Sequence, residues 1–398
     1  MLTIAVFFGG KSVEHDVSIV TAQQLMQNIN REKYTVVPVY ISREGDWYSG
    51  EKLMHVEAFR HFDAGDPAVT RVYLPANTRV KQLYRFTPEK RRFKRENPVF
   101  SKIDAALLAM HGLNGEDGTL QGLLEMAGVP YTSSGVLGSA AGMDKILMKA
   151  AFAGAGFPVL PYTYFDRQAW ENDQETVLDQ CEDRLTYPMF VKPSNLGSSI
   201  GISKARDRAE LAKAIALAVQ YDHRVLVEKG LDAPKEINCS ALGFGDKVKA
   251  SVCEMPAAKE DFLTFSDKYL SGGKNEASME ALSRRIPAPI PEDMTARVRQ
   301  MTVDIFKLMD CKGVVRIDYI ADHDLANLYV NEINTIPGSF AFYLWEPLGI
   351  SYAKLIDILI ETAFQAYEAR KENNFAFDSE IIAKFALGSQ KSGKFGKL

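Results

Sequence analysis

Cysteine is scarce. Cys181, Cys239, Cys253 and Cys311 are the only four in 398 residues, and no two stand at a short paired spacing. That spacing excludes a CxxC-type zinc site and a small disulfide-stapled scaffold. It fits a reducing compartment in which each thiol is a small buried hydrophobe. Charge of neither sign dominates: 47 Lys and Arg face 51 Asp and Glu, for a net charge of -4 and a pI near 6.0. No global positive field is present to draw in nucleic acid, so any phosphate binding must come from individually placed residues. No apolar run approaches the ~20 residues that span a bilayer. The start, Met1-Leu2-Thr3-Ile4, shows neither a basic leader nor a cleavage site, so the expectation is a cytoplasmic protein without a membrane partner. Internal repeats are missing, and so is a GxGxxG turn between a strand and a helix, which leaves a nicotinamide enzyme little support. Gly10-Lys11-Ser12 looks like the end of a P-loop, but the glycine needed five residues earlier is Ala5, and Val6, Phe7 and Phe8 continue a strand.

What is present is an ordinary globular mixture, 46% hydrophobic and 25% charged. At ~150 residues per domain the length suggests two or three domains. Strand and helix patterns alternate throughout. Residues 3–8 form a continuous apolar run, as a buried parallel strand does, followed by a helix at 18–30 and a strand at 34–41. A strand at 104–110, a Gly-bearing loop and a helix at 119–128 complete a βαβ-type unit. The irregular stretch 45–98, with alternating Lys and Arg over 89–96, reads as a solvated surface elaboration of this unit. Helices follow at 135–141 and 144–153, then a strand at 158–164, a helix at 169–182, a strand at 188–191, a helix at 208–221 and a strand at 225–229. Beyond residue 230 the pattern predicts strands at 236–244 and 247–253, a polar excursion over 259–278, a helix at 291–309, strands at 313–321 and 326–333, and a helix at 352–370. The length of the excursion suggests a lid, and the Gly/Lys/Ser tail beyond 388 is expected to fray.

Three clusters carry chemistry. In a strand alternate residues share a face, so Arg316 and Asp318 point together, as do Glu332 and Asn334. If those strands pair, two carboxylates and an amide oxygen converge, a hard-oxygen set suited to Mg²⁺ shared with phosphates. A cross-strand salt-bridge ladder would use the same residues. Val315, Ile317 and Ile333 would then face the core. In the second cluster, 190–201, a strand delivers Lys192 into a Gly/Ser loop able to wrap a polyphosphate, or into a plain Gly/Ser turn. Lys145, Glu228 and Lys229 are further candidates for phosphate and an adenine amino group. The third cluster follows two strands of the first unit: Glu14 can hold a substrate ammonium and His111 can meet a carboxylate, whereas Ser18 and Asp117 read as helix N-caps.

Taken in order, GGKSVEHDVS, MHGLNGEDGTLQGLLEMAGVPYTSSGVLGSAAGMDK, VKPSNLGSSIG, VLVEK, DKYL, VRIDY and NEINTIPG resemble the D-alanine–D-alanine ligase family of the ATP-grasp superfamily, over nearly the whole chain to about Arg370. Any one of these is modest; seven in sequence are highly specific. The resemblance implies an α/β (α+β) fold with three-domain ATP-grasp architecture: a Rossmann-like preATP-grasp domain at 1–133, a central ATP-grasp subdomain at 134–229, a C-terminal one at 230–372 and a tail at 373–398. It implies ligation of two D-alanines through an acyl phosphate for peptidoglycan, with ATP and two Mg²⁺ (or Mn²⁺) ions, in a homodimer. It places metal on Asp318, Glu332 and Asn334, and ATP on Lys145, Lys192, Glu228, Lys229, Leu231, Glu236 and Lys268. Glu14, His111 and Ser198 match the first-substrate site, and Tyr269 the loop tyrosine that closes it. Arg316 and the Gly338 N–H match the groups that hold the tetrahedral intermediate. Tyr343 and Leu344 fall at the acceptor site, where the family usually has a small hydroxyl residue in the position of Tyr343. That departure motivates an alternative, ligation of D-alanine to another amino acid such as D-serine. A non-catalytic nucleotide-binding module is the rival from another class.

Overall fold

Each run of β-branched and apolar residues finds a different way to bury itself, and the result in the computed structural model is three sheets. The structure describes residues 1–86, 97–197, 200–256, 284–377, 379–382 and 384–385. β1 (Leu2–Gly9) is apolar on both faces because it is an interior strand of the first sheet, paired in parallel with β2 (Tyr34–Ile41) and with β7 (Ala105–Leu108). α1 (His15–Asn28) packs on it, and α2 (Thr119–Met126) follows β7. The stretch expected to be a surface elaboration instead extends this sheet. β3 (Trp47–Ser49), β4 (Thr70–Tyr73), β5 (Gln82–Arg85) and β6 (Val99–Lys102) add antiparallel strands, giving the order β6-β5-β4-β3-β2-β1-β7. Each is only three or four residues long, which explains why its period-2 pattern was invisible in sequence. The basic run 89–96 lies outside the described residues.

The second sheet has the order β10-β9-β11-β8, all antiparallel: β8 (Tyr162–Asp166), β9 (Met189–Pro193), β10 (Ser203–Ala205) and β11 (Arg224–Lys229). α7 (Arg208–Tyr221) covers it. The helix expected at 169–182 is two, α5 (Arg167–Asn172) and α6 (Gln174–Arg184); Asp173 leaves helical geometry and its carboxylate accepts from the Thr176 amide at 3.0 Å. Such an N-cap is worth roughly 1 kcal/mol and resets the helix. The strand expected at 158–164 begins only at Tyr162; two prolines, Pro158 and Pro161, lack the amides a ladder needs.

The third sheet, β13-β12-β14-β15, is also antiparallel: β12 (Lys235–Phe244), β13 (Lys247–Glu254), β14 (Gly313–Ala321) and β15 (Leu328–Asn334). Its apolar face buries Ile237, Val315, Ile317 and Val330 against α8 (Glu292–Leu308) and against Met148 and Phe152 of α4 (Lys145–Gly154). α3 (Val136–Met143) and α4 therefore pack on the third sheet although the second sheet follows them in sequence. α9 (Tyr352–Lys371) returns to the first sheet's core with Leu355, Ile356 and Leu359. All four cysteines are buried thiols without disulfides. No helix among the described residues is long and apolar enough to cross a membrane.

Candidate active site

β14 and β15 pair as required: Arg316 lies opposite Asn334 and Asp318 opposite Glu332, with a bulge after Asp318. The apolar neighbours Val315, Ile317 and Ile333 are buried on the other side. On the polar face Arg316 grips Asp318 with two parallel bonds, Nε to Oδ1 at 2.6 Å and a guanidinium N–H to Oδ2 at 2.7 Å. The Asn334 side-chain amide donates a further hydrogen bond to Asp318 Oδ2 at 3.0 Å. Among the described residues no group of three or more His, Cys, Asp or Glu forms a metal cluster. Two carboxylates and one amide oxygen are instead the sparse hard-donor set that suits Mg²⁺ completing its shell on substrate phosphate and water. The donor chemistry fits.

Lys145 ties this face to the second sheet. Asp144 caps α4 by accepting from the amides of Ile146 and Leu147, which fixes the first turn of the helix. The Lys145 ammonium then donates to the Leu196 carbonyl at 2.6 Å and lies 3.9 Å from Glu332. Lys192, on β9, contacts Glu228 of β11 and reaches Asn331 of β15 at 3.4 Å. Burial by itself would raise the Glu228 carboxyl, but Lys149 and Lys192 outweigh it and hold the group down at about 2. Lys229 and Leu231 are half-buried next to it, and Glu236 is exposed at the start of β12.

The first sheet supplies the other wall. Glu14, 5% exposed, precedes α1, and its carboxylate presses on Gly197: a Cβ there would meet Glu14 Oε2 at 2.8 Å. Glycine at 197 thus permits a close approach that any side chain would block. Beside Glu14 opens a cavity of about 290 Å³ lined in part by Lys11, Arg43, Gly112 and Leu196. His111 is buried, hydrogen-bonded to Thr21 at 2.9 Å, and burial together with Arg316 lowers its imidazole to about 4. Glu116 accepts from the amides of Gly112, at 2.8 Å, and Ile336, at 3.3 Å, and so links the loop after β7 to the turn after β15. Burial and the Glu14 carboxylate push its carboxyl up.

That turn, Gly338–Leu344, holds Ser339, Phe340 and Ala341 at φ of 49°, 57° and 49°. Left-handed backbone costs roughly 1–2 kcal/mol per non-glycine residue. Here the burial of Phe340 and Ala341 in the first core offsets the strain, and Ser339 bonds Gln24 of α1 at 2.5 Å. Leu344, expected at the acceptor site, has its side chain fully buried in the core, which leaves its backbone to face a ligand. Tyr343 is half-buried; its hydroxyl meets Glu254 at 3.2 Å, and Arg284 lies 4.3 Å over its ring while pairing with Glu254 at 3.4 Å. Ser198, Lys268, Tyr269 and the 259–278 excursion lie outside the described residues.

Two expected caps are resolved differently. Ser18 does not cap α1; its hydroxyl accepts from the Gly9 amide at 2.8 Å and donates to the Ala109 carbonyl at 2.6 Å, stapling the ends of β1 and β7. Asp117 does accept from the Thr119 amide at the start of α2, at 3.0 Å. Lys149, Glu116, Glu254 and Arg284 received no role from the sequence. Lys149 was findable, since it stands four residues after Lys145 on one helix and four-residue neighbours share a face.

Two antiparallel sheets thus converge lysines and a hard-oxygen set on one cleft, an arrangement suited to the phosphates of a nucleotide and a hard cation. Sequence families described as "D-ala D-ala ligase N-terminus" and "D-ala D-ala ligase C-terminus" match residues 3–134 and 151–361. The D-alanine--D-alanine ligase of Acetivibrio thermocellus is 40% identical over 374 residues, covering 92% of this chain and 96% of the relative. That of Thermosipho melanesiensis is 38% identical over 372 residues, covering 93% and 96%. Among solved structures, the D-alanine-D-alanine ligase from Coxiella burnetii superposes with a TM-score of 0.75 at 26% identity over 98% of this chain and 99% of its own. The VanG D-Ala:D-Ser ligase from Enterococcus faecalis does so with a TM-score of 0.75 at 30% identity over 91% and 99%. The chain belongs to the D-alanine–D-alanine ligase family.

Proposed function

We propose that this chain joins two D-alanine molecules into D-alanyl-D-alanine at the expense of ATP, supplying dipeptide for peptidoglycan. The observation that carries the reading is the bridge at Lys145, which contacts the 196 carbonyl and Glu332 together and so brings phosphate loop, oxygen-ligand face and the Glu14 cavity into one cleft. Family membership rules out the non-catalytic module, and the names of the curated relatives favour D-alanine over D-serine as acceptor.

The chemistry follows from charge. An amine cannot usefully attack a carboxylate, because the leaving group would be oxide. Transfer of the γ-phosphoryl of ATP to the first D-alanine's carboxylate replaces that oxide with phosphate. Lys145 and Lys192 would meet the phosphates, with Lys268 from the excursion, while Glu228, Lys229, Leu231 and Glu236 would hold adenine and ribose. Asp318, Glu332 and Asn334 would hold Mg²⁺ or Mn²⁺, two ions in our reading, which when bound supplies neutralising charge to the transferred phosphoryl. Glu14 and His111, with Ser198 and Tyr269, would seat the first D-alanine. The second D-alanine's amine then attacks the acyl phosphate; its C–N bond forms, the C–O bond to phosphate breaks, and the amine proton leaves. Arg316 and the Gly338 N–H would hold the oxyanion between those events. Tyr343 and the Leu344 backbone would border the acceptor. The proposed division of labour is 1–133 for the first amino acid, 134–229 and 230–372 for ATP, and 373–398 a tail, in a cytoplasmic homodimer.

The test is phosphate release from ATP and Mg²⁺ across a panel of D- and L-amino acids, with product mass measured. D-Ala–D-Ala as the preferred product is expected. No turnover with any D-amino acid, or a preferred mixed dipeptide, defeats the reading. Gel filtration checks the dimer.

A further inference from the structure

Lys149 has no role in the site as assigned above, yet it is 1% exposed, and its ammonium lies 2.8 Å from the Glu228 carboxylate, itself 2% exposed. A helix position needed only for packing would carry an apolar side chain, as Met148 and Phe152 do on the same helix. Burying an ammonium is costly unless something compensates it. Burial does pull the Lys149 ammonium below its usual range, with Glu228 opposing that loss.

Glu228 has two oxygens and two cations. Oε2 faces Lys149 from α4, and Oε1 faces Lys192 from β9. One turn earlier on α4, Lys145 faces Glu332. Three ammonium groups thus surround two carboxylates, leaving one positive charge beyond neutrality in a largely buried setting. An incoming phosphate would compete with Glu228 for Lys192. Were Lys192 the sole counter-ion, every movement toward phosphate would strand a buried carboxylate, and the nucleotide would bind against that cost.

We propose that Lys149 is a positioning residue: the fixed counter-ion of Glu228, which releases the charge of Lys192 to the nucleotide phosphates. The proposal rests on the reading that Lys192 meets those phosphates. Lys149 itself is buried on α4 and acts through Glu228, not on the substrate.

The test is a double-mutant cycle in the full chain, with ATP binding in Mg²⁺ measured by calorimetry and KM measured for ATP and D-alanine. Lys149→Met is expected to weaken ATP about tenfold, while KM for D-alanine stays within about twofold. Lys149→Arg, which keeps the charge, is expected to retain most of the affinity. The double variant Lys149→Met/Glu228→Gln has no buried carboxylate to trap Lys192, so it is expected to match Glu228→Gln alone. This comparison holds even if Lys149→Met by itself does not fold. A Lys149→Met protein that binds ATP like the parent, or a double variant much weaker than Glu228→Gln, overturns the proposal. Unchanged ATP binding in Lys192→Met is a separate outcome and would overturn the underlying assignment of Lys192.

Discussion

The two walls of the cleft treat carboxylates in opposite ways. On the nucleotide side Glu228 sits between Lys149 and Lys192, and its carboxyl is held down at about 2. On the amino-acid side Glu116 stands near Glu14, and burial with that neighbouring charge pushes its carboxyl up to about 8. Burial acts in the same direction on both; the sign of the neighbours decides the outcome. Around Glu228 ammonium groups outnumber carboxylates, whereas Glu116 and Glu14 set two carboxylates close together. Under the proposed function ATP would add an anion beside the first group and the ammonium of D-alanine a cation beside the second.

The comparison can be broken at four points. Glu332→Gln removes an anionic oxygen from the face where metal and phosphate would meet. It should cost roughly 10²–10³ in kcat and shift the Mg²⁺ titration to higher concentration, with an unchanged melting temperature. Near-parent turnover would detach Glu332 from the metal site. Glu14→Gln should raise KM for D-alanine roughly tenfold or more and leave ATP binding in place, because a charged hydrogen bond to ammonium is lost. A rise in KM for ATP instead would show that the walls are not separable.

The third point is pH. Between the ordinary 4.5 and about 8, native Glu116 keeps a proton that the unfolded chain has lost, so stability falls as pH rises through that window. Glu228 does the reverse: its contribution is complete above 4.5 and is lost as pH falls toward 2. Denaturant melts from roughly pH 2 to pH 9, the span both groups cover, should show Glu116→Gln flattening the neutral limb and Glu228→Gln the acid limb. Parallel curves for parent and both variants would refute the contrast. The smallest effect belongs to Tyr343→Phe, which loses the 3.2 Å bond to Glu254 and keeps the ring under Arg284. A few-fold change in KM for the acceptor is expected, on the scale of ~1 kcal/mol for one hydrogen bond.

Much of the architecture was legible in sequence because long periodic runs fix their own element. α7 and β14 fall at 208–221 and 313–321 as the pattern predicts. That Arg316 and Asp318 share a face, as do Glu332 and Asn334, followed from period-2 alternation, whereas the register that sets Asp318 opposite Glu332 is seen only in the fold. Short strands were not legible: β3 to β6 are too brief to show alternation. Nor was the choice of partner, since α4 packs against the third sheet through Met148 and Phe152.

By itself, then, the sequence determined the family, the strand faces and the residue types needed for phosphate and hard-cation chemistry, because these are local patterns. Only the tertiary structure decided which charges meet. Lys149 and Glu228 are 79 residues apart by their numbering, Glu116 reaches the amide of Ile336, and Gly197 lies on Glu14. Electrostatic interactions depend on distance and burial through space, and neither is encoded at a fixed spacing along the chain.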